Sequence, residues 1–179
     1  MRIISGTHKG RILKAPKGIR PTQDNAKKAL FDILGGMNEI RFLELFAGSG
    51  SIGLEALSLG AREVVFVEKE QKCFDVIRDN LELCKFSNSS ITRGDAELAL
   101  KRFRDQKKVF DIIFFDPPYY RELAKKTLQL LGAYDILAPN GFVIAQHFKK
   151  DLLPEIAGVL KLFRQERYGD TVLSFYKRI

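Results

Sequence analysis

The sequence has few of the residues that disulfides and metal sites require. It contains two cysteines, Cys73 and Cys84, and two histidines, His8 and His147. The cysteines lie in one predicted helix, too far apart along its axis to bond, so we expect reduced core residues. The histidines have no cluster of further candidate ligands around them, so the chain is not expected to bind a metal.

Long apolar runs are also absent. No run approaches the roughly 18 residues that span a bilayer, and the N-terminal segment is polar and basic rather than a secretory signal. We therefore expect a cytoplasmic protein without a membrane-embedded segment. The sequence shows no internal repeat or interdomain linker, and its 179 residues suit one domain over 1–179, since domains of roughly 100 to 200 residues are usual.

Positive charge is concentrated near the N-terminus. The net charge is +8, from 30 Lys and Arg against 22 Asp and Glu. Residues 1–28 hold eight of these bases and one acid, so this segment carries +7 and the remainder +1. Such a segment is suited to contact a phosphate backbone, although a solvated charged face is the alternative. The candidate phosphate contacts are Arg2, Lys9, Arg11, Lys14 and Arg20.

Residues 1–36 are predicted to form a basic hairpin followed by a helix. Two short strands, 2–5 and 11–14, would flank a glycine-containing turn. Apolar residues recur at helical spacing from Ala29 to Leu34, and Thr22 is placed to cap this helix. The basic charges would then lie on the solvent side of the hairpin.

From residue 41 onward, short apolar runs alternate with amphipathic helical stretches. The predicted strands are 42–45, 64–67, 90–92, 111–115 and 142–146, and the predicted helices are 51–59, 70–84, 96–104 and 121–134. This alternation predicts an α/β fold with a Rossmann-like core over 41–179, a mostly parallel, doubly wound sheet of about seven strands. A helix near 152–159 and a closing hairpin, 161–167 with 171–177, would add one antiparallel strand.

A glycine-rich segment follows the first predicted strand. Gly48, Gly50 and Gly53 have the spacing of the dinucleotide fingerprint, and Glu68 ends the second strand, where a ribose-binding carboxylate belongs. A nicotinamide enzyme is therefore an open alternative. Glu44 argues against it, because a carboxylate there would face the pyrophosphate. The same carboxylate would stabilise the ammonium and sulfonium groups of S-adenosylmethionine.

The tetrad Asp116-Pro117-Pro118-Tyr119 directly follows a buried strand. Two prolines stiffen the loop at the carboxyl end of that strand, where open α/β sheets bind ligands. An exocyclic amino nitrogen is a poor nucleophile because its lone pair is delocalised into the ring. The Asp116 carboxylate and a carbonyl of the loop could hold its two N–H groups and aim the lone pair at a methyl carbon. Tyr119 would stack on the base, and an ordinary turn is the alternative.

Asp95 completes the candidate site. It lies in Gly94-Asp95-Ala96 after the third predicted strand, where a carboxylate can accept a hydrogen bond from the adenine amino group. A helix N-cap is the alternative role. The predicted catalytic residues are Asp116, Pro117, Pro118 and Tyr119. The predicted cofactor-binding residues are Glu44, Phe46, Gly48, Gly50, Glu68, Asp95, Ala96 and Asp116.

With these motifs in place, the sequence resembles bacterial small-subunit ribosomal RNA guanine-N2 methyltransferases, a class I Rossmann-like family that modifies 16S RNA. The resemblance covers essentially the whole chain. Its motifs are Arg2-Ile3-Ile4-Ser5-Gly6, Lys9-Gly10-Arg11, Arg20-Pro21-Thr22, Ala29-Leu30-Phe31, Leu45-Phe46-Ala47-Gly48-Ser49-Gly50, the Asp-Pro-Pro-Tyr loop and Gly169-Asp170-Thr171.

The resemblance implies S-adenosylmethionine as the cofactor and the N2 amine of a guanine in 16S ribosomal RNA as the methyl acceptor. It also implies that the basic N-terminal residues contact ribosomal RNA within a small-subunit assembly intermediate. We expect deletion of residues 1–17 to weaken RNA binding and to leave cofactor binding intact. The alternatives are methylation of DNA adenine N6 or of a protein glutamine amide, a nicotinamide enzyme, and a non-catalytic RNA-binding module.

Three positions depart from the family pattern. Glu44 stands where the family usually has Asp, which keeps the charge one methylene further out. Asn25 lies in a segment where the family has Asp-Arg-Val-Arg-Glu, and it lacks the guanidinium. His147 falls where the family often shows an acid and a histidine, and we interpret it as structural.

Overall fold

The computed structural model describes residues 1–16, 18, 24–118 and 122–179, with residue 24 described by its backbone alone. Within these ranges, eight strands form one sheet in the order β3-β2-β1-β4-β5-β8-β7-β6. The strands are β1 Arg41–Leu45, β2 Glu63–Glu68, β3 Ser89–Arg93, β4 Phe110–Phe115, β5 Leu137–Phe148, β6 Ile156–Ala157, β7 Leu160–Tyr168 and β8 Thr171–Arg178.

Helices connect the parallel strands β1 to β5. The described α-helices are α1 Asp24–Leu34, α2 Ser51–Ser58, α3 Gln71–Cys84, α4 Ala96–Asp105 and α5 Leu123–Ala133. β1, β2, β3, β4 and β5 pair in parallel, whereas β8 runs antiparallel to both β5 and β7. Nowhere in the described ranges is a helix both long and apolar enough to cross a membrane.

The strands bury both faces of the sheet, as their nearly continuous apolar sequences require. One core lies under α1, α2 and α3 and includes Phe42, Phe66, Phe114 and Ile144 of the sheet. The other lies under α4 and α5 and includes Leu43, Val65, Phe115 and Ala145. Alternate residues of each strand therefore enter opposite cores. The predicted doubly wound architecture is confirmed.

The predicted order of strands and helices from 41 to 148 is also confirmed. β5 is longer than expected, since it extends from Leu137 to Phe148. The closing hairpin forms as β7 and β8, and β8 is the antiparallel neighbour of β5. The eighth strand, β6, is the addition to the seven expected. Cys73 and Cys84 are buried and free, as predicted.

The predicted helix near 152–159 is wrong. These residues, all of them described, form a loop and the two-residue strand β6, which pairs with β7. Gly158 has a φ of 58°, which is incompatible with a right-handed helix, and its backbone packs against Gly132 of α5. The Val159 amide donates to the Gly132 carbonyl oxygen at 3.1 Å. Contact with α5 therefore holds the segment in an extended form.

The predicted N-terminal hairpin is reduced to a short antiparallel pairing. An isolated bridge joins Arg2 and Ile12, and a 3₁₀ helix at Gly6–His8 occupies the turn. Ile3 and Leu13 are buried in the core under α1, α2 and α3. We call residues 1–16 the N-terminal arm. The arm packs on the helices instead of standing free as a two-stranded ribbon.

A buried ion pair fastens the N-terminal arm to α1 and α2. Glu55 on α2 is fully buried, and its carboxylate accepts hydrogen bonds from the main-chain amides of Ile4 at 2.9 Å and Ser5 at 2.6 Å. Lys27 on α1 is also buried, with its Nζ 3.2 Å from Glu55 Oε2 and 2.7 Å from the Arg2 carbonyl oxygen. Because the amides of Ile4 and Ser5 donate to Glu55, they do not extend the hairpin ladder.

Two further contacts hold the arm along its length. The Ser58 hydroxyl donates to the Ser5 carbonyl oxygen at 2.6 Å, and a Cβ at Gly6 would lie 1.9 Å from the Ser58 carbonyl oxygen. Glycine is therefore required where the arm crosses the end of α2. The buried Asn80 side chain accepts from the Lys14 amide at 2.8 Å and donates to the Lys14 carbonyl oxygen at 3.1 Å.

These contacts overturn the expectation that the arm is separable. Deletion of residues 1–17 would uncover the core beneath Ile3 and Leu13 and would leave the polar groups of Glu55 and Asn80 buried without their partners. Weaker RNA binding in such a variant would not be distinguishable from a loss of structure. Substitutions of exposed charges are the appropriate test of RNA binding.

We expect Glu55→Ala to lower the free energy of unfolding by about 3 to 5 kcal/mol, because it leaves the Lys27 charge buried without a partner. Urea denaturation followed by circular dichroism measures this. Lys28→Ala is the matched control, since Lys28 forms an exposed ion pair with Asp32 at 2.6 Å, worth roughly 0.5 kcal/mol or less. A decrease below about 1 kcal/mol for Glu55→Ala would show that the pair does not anchor the arm.

Candidate active site

Four polar side chains lie at the carboxyl ends of neighbouring parallel strands. Glu44 is on β1, Glu68 ends β2, Asp116 follows β4 and Gln146 is near the end of β5. Each stands two residues after a member of the core under α1, α2 and α3, in the order Phe42, Phe66, Phe114 and Ile144. Because a strand has a side-chain period of two, the four side chains share one face of the sheet. We call this edge the carboxyl edge.

The carboxyl edge includes the point where the strand order reverses. β1 lies between β2 and β4, and the register pairs Leu45 with both Val67 and Phe115. Glu68 and Asp116 are the next residues along those two strands, so they flank the end of β1. Open α/β sheets bind ligands at such a reversal. The structure thus brings together the carboxylates that the sequence analysis selected separately.

The segment between β1 and α2, residues 46–50, turns tightly and is called the glycine loop. Phe46, Gly48 and Gly50 have positive φ angles of 55°, 57° and 73°, and the Gly50 amide donates to the Ala47 carbonyl oxygen at 2.7 Å. A Cβ at Gly50 would lie 3.2 Å from the Phe66 ring. Phe46 accepts a backbone conformation that is costly for a side chain of its size, a feature that is frequent at ligand sites.

Glu68 fixes the glycine loop from the side. Its Oε2 accepts from the Gly48 amide at 2.7 Å, and its Oε1 accepts from the Glu70 amide at 2.8 Å. The side chain is buried. Each carboxylate oxygen has a second acceptor position, so the two remain able to accept from a pair of ligand hydroxyls.

Glu44 lies beneath the start of α2. Its Oε2 accepts from the Gly53 amide at 2.8 Å, at the positive end of the helix. Burial raises the pKa of Glu44 to about 8, against the lowering effect of the Gly53 and Ile52 amides. The sequence analysis assigned Glu44 to a cationic ligand and did not foresee this contact with α2. The available signal was the glycine at position 53. In the structure a Cβ at this position would lie 2.8 Å from Glu44 Oε2, so the contact requires glycine.

Asp95 begins α4. Its Oδ1 accepts from the Glu97 amide at 2.9 Å, and its backbone is extended. The N-cap that the sequence left as an alternative is therefore formed. The cap uses one oxygen, so the other stays available for a hydrogen-bond donor. Ala96, the next residue, is buried against the sheet.

Asp116 begins the Asp-Pro-Pro loop beyond β4, and its carboxylate Oδ2 accepts from Gln146 Nε2 at 2.6 Å. Burial raises the pKa of Asp116 to about 7, and the hydrogen bond from Gln146 opposes this rise. Pro117 is buried and Pro118 is exposed. The predicted base-stacking residue, Tyr119, lies outside the described residues.

Gln146 was not selected by the sequence analysis. Its side chain is 4% exposed, and its Oε1 is the one buried side-chain oxygen or nitrogen of the described residues without a hydrogen-bond partner. An unsatisfied buried acceptor costs about 1 to 3 kcal/mol. The available signal was the period of two along β5, which places Gln146 two residues after the core residue Ile144 and beside the end of β4.

His147 points to the opposite face of β5 from Gln146. Its Nε2 is 2.8 Å from the Ser174 hydroxyl oxygen, and its Nδ1 is 3.0 Å from the Phe148 carbonyl oxygen. The ring is 3% exposed, and burial lowers its pKa. These contacts are those of a structural histidine, as the sequence analysis interpreted it. Within the described ranges, no group of three or more His, Cys, Asp or Glu side chains is arranged to hold a metal.

The candidate phosphate contacts of the N-terminal arm are at the surface. Arg2, Lys9, Arg11 and Lys14 are exposed, and Lys14 also pairs with Asp79 at 2.8 Å. The positive charge of the N-terminal segment is smaller than the sequence count, because Lys27 and Lys28 pair with Glu55 and Asp32. Arg20, together with the predicted helix cap Thr22, lies outside the described residues.

Comparisons with a protein family, with known sequences and with solved structures all point to the same group of proteins. A family described as "Conserved hypothetical protein 95" matches residues 1–177. YlbH of Bacillus subtilis, a candidate rRNA methyltransferase by its name, is 40% identical, with 99% of each chain covered. Ribosomal RNA small subunit methyltransferase D of Escherichia coli is 31% identical, with 99% of this chain and 90% of that protein covered. A solved structure of yhhF of Escherichia coli, a candidate methyltransferase by its name, has a TM-score of 0.87 at 28% identity, covering 99% of this chain and 97% of that one.

The parallel sheet with an antiparallel β8 beside β5, and the glycine loop after β1, define a class I methyltransferase that uses S-adenosylmethionine. A nicotinamide enzyme and a non-catalytic module are excluded by this result. The chain belongs to the ribosomal RNA small subunit methyltransferase D family.

We expect the stability of the free protein to fall as pH rises from about 4.5 to about 8, because over this range the folded protein holds a proton on Glu44 that the unfolded chain has released at its ordinary pKa of 4.5. Glu44→Gln keeps an acceptor oxygen for Gly53 and cannot ionise. The wild type should therefore lose stability relative to Glu44→Gln as the pH rises. The difference in free energy of unfolding, variant minus wild type, should be about 2 to 4 kcal/mol larger at pH 9 than at pH 4.5.

Urea denaturation at a series of pH values measures this difference. Glu70→Gln is the matched control, since Glu70 is a nearby exposed residue, and its pH dependence should follow that of the wild type. Parallel curves for wild type and Glu44→Gln between pH 5 and 9 would contradict the assignment of a buried, protonated Glu44.

Proposed function

We propose that the protein transfers a methyl group from S-adenosylmethionine to the N2 amine of a guanine in 16S ribosomal RNA. The observation that carries the proposal is the position of Asp116. This partly buried carboxylate follows β4 on the same face and edge of the sheet as Glu44 and Glu68, and it is held by a neutral amide. The names of the family relatives support ribosomal RNA as the substrate.

The cofactor is proposed to lie across the glycine loop. The oxygens of Glu68 would accept from the two ribose hydroxyls, and Asp95 would accept from the adenine amino group. Phe46, Gly48, Gly50 and Ala96 would line the site as main-chain or apolar contacts. A cationic ligand beside Glu44 would favour its ionised form, so binding would lower the pKa of this residue.

The target amine is proposed to bind at Asp116. Gln146 occupies Oδ2, so Oδ1 would accept one N–H of the amine while a carbonyl oxygen of the loop accepts the other. The nitrogen lone pair would then form the bond to the methyl carbon as the sulfur–methyl bond breaks, with its electron pair remaining on sulfur. The methylated nitrogen then carries a positive charge, and it finally releases one proton to solvent to give the neutral amine. Positioning and electrostatic stabilisation of the developing positive charge supply the catalysis.

The RNA backbone is proposed to follow the N-terminal arm. Arg2, Lys9, Arg11 and Lys14 are exposed on the same side of the sheet as α2 and α3, which is also the side that the four polar side chains of the carboxyl edge face. Phosphate contacts of this kind fix register and orientation, whereas the target base itself is chosen at the site.

The identity of the methylated nucleoside tests the proposal. The enzyme is incubated with labelled cofactor and, separately, with 16S RNA, small subunits or assembly intermediates lacking the modification, and DNA. Digestion and chromatography should give N2-methylguanosine from one of the ribosomal substrates. Label in N6-methyladenine from DNA, or in a protein glutamine, would overturn the proposal in favour of another amine.

We expect Asp116→Ala to lower kcat by roughly 10² to 10⁴, the range for loss of a positioned catalytic group. Asp116→Asn keeps an oxygen acceptor, so its kcat should be measurable and should lie between that of the wild type and that of Asp116→Ala. Affinity for S-adenosylmethionine, measured by calorimetry, should change little in either variant, because Asp116 would act on the amine in the transition state. In the wild type, kcat should rise with pH as this carboxyl ionises; its pKa is about 7 in the free protein, and a bound cationic cofactor would lower it.

Two results would count against this role. If Asp116→Asn is as inactive as Asp116→Ala while folded and bound to cofactor, the charge or basicity of the carboxylate matters more than acceptance of a hydrogen bond. Full activity of Asp116→Ala would remove the Asp-Pro-Pro loop from the catalytic site.

We expect Lys9→Ala with Arg11→Ala to weaken RNA binding and to reduce the slope of log affinity against log salt by about 0.7 to 0.9 for each phosphate that the variant no longer neutralises. The matched control is Lys101→Ala with Lys107→Ala, which removes the same charge from the α4 side of the sheet. Filter binding at several salt concentrations measures both. Equal slopes for the two double variants would show that the arm is only a solvated charged surface.

A further inference from the structure

We propose that Gln146 is a positioning residue for methyl transfer, whose side-chain amide holds one oxygen of Asp116 and leaves the other free for the target amine. The inference rests on the proposed function of Asp116 and adds a residue to it. It concerns the one neutral side chain among the four polar groups at the carboxyl edge. Nothing in the resemblance to a known family assigned a role to this glutamine.

The position of Gln146 is fixed by the sheet rather than by a loop. β4 and β5 pair in parallel, with Phe115 opposite Ala145, so the residues that follow them, Asp116 and Gln146, are neighbours at the end of the ladder. On the other side, β8 pairs Leu173 with Gln146. A residue whose strand is paired on both sides has a fixed backbone, so its side chain is better suited to orient a catalytic group than one on a loop.

The unsatisfied Oε1 indicates that the amide is present for more than packing. A methionine or leucine of similar volume would fill the same space without a buried unpartnered acceptor, so the amide is costly unless its donor end is needed. That donor end makes the 2.6 Å bond to Asp116 Oδ2. With Oδ2 occupied, the lone pairs of Oδ1 are the acceptor positions that remain for an amine.

The chemistry of an amide suits both protonation states of its neighbour. Nε2 donates to the carboxylate form of Asp116, and after a turn of the amide Oε1 can accept from the carboxylic acid form. A carboxylate at position 146 would instead repel the ionised form of Asp116, at an edge that already holds the acids Glu44 and Glu68. A neutral donor therefore keeps the ionised form of Asp116 accessible in a site crowded with acids.

The test compares Gln146→Met, which keeps the length of the side chain and removes the donor, with the wild type. We expect kcat to fall roughly 10- to 100-fold, less than the roughly 10²- to 10³-fold loss of a donor that contacts the reacting atoms, because Gln146 acts through Asp116; the Kd for S-adenosylmethionine should change less than about twofold. The pH at which kcat reaches half its maximum should rise, because the carboxylate is no longer stabilised by this hydrogen bond. Gln146→Glu should shift that pH further upward through repulsion between the carboxylates.

Ser174→Ala is the matched control for packing. Ser174 lies on β8 beside β5, and its hydroxyl bonds to the buried His147 on the opposite face of the sheet. This variant should lose stability in thermal unfolding without any change in the pH profile of kcat. If Gln146→Met does not fold, Gln146→Leu gives the same comparison, since it also fills the space without a donor.

A second measurement separates this inference from the proposed function. The side-chain carboxyl carbon of Asp116, observed by NMR in the free protein, should titrate at a higher pH in Gln146→Met than in the wild type, whether or not RNA is methylated. An unchanged titration together with an unchanged kcat would overturn the positioning role. A wild-type protein that methylates no RNA would overturn the proposed function and the catalytic part of the inference, while the titration still decides whether Gln146 holds Asp116.

Discussion

The buried carboxylate of Glu55 connects three parts of the molecule that the strand ladder does not join. It lies on α2, accepts from the amides of the N-terminal arm and pairs with Lys27 on α1. α2 is fixed at its other end by Glu44, and its first turn continues directly from the glycine loop. The geometry of the carboxyl edge thus depends on a helix of eight residues held by two buried acids.

The sequence was sufficient to predict the sheet and most of the edge, because both follow from local periodicity. Glu68 and Asp116 each end an apolar run, Glu44 lies one residue before the end of β1, and the parallel topology brings such positions together. Gln146 was missed since it lies inside an apolar strand with no glycine or proline beside it. The Lys27–Glu55 pair was missed because its two residues are far apart in the chain, and a charge count treats Lys27 as a surface base. The extended segment 152–159 depends on contact with Gly132, which no local pattern contains.

The carboxyl edge is acidic in a protein whose net charge is positive. Burial raises the pKa of Glu44 to about 8 and that of Asp116 to about 7, so at neutral pH Glu44 is mostly protonated and Asp116 is only partly ionised. The free protein can therefore place three acids together without the full repulsion of three charges. A cationic cofactor bound at this edge, as proposed, would change this balance, since its charge would favour ionisation of the same groups. Its binding would then restore to the site the negative charges that burial suppresses in the free protein.

The attachment of the N-terminal arm also bears on the order in which the chain folds. The bonds from Ile4 to Glu55 and from Lys14 to Asn80 join residues 51 and 66 positions apart. Closing loops of this length costs conformational entropy, so the contacts of the arm form only when the intervening chain is ordered. During synthesis the arm emerges before the residues of α1, α2 and α3 that hold it, with its apolar residues and basic charges unprotected. The arm therefore reaches its place only after the helices that carry Lys27, Glu55 and Asn80 have formed.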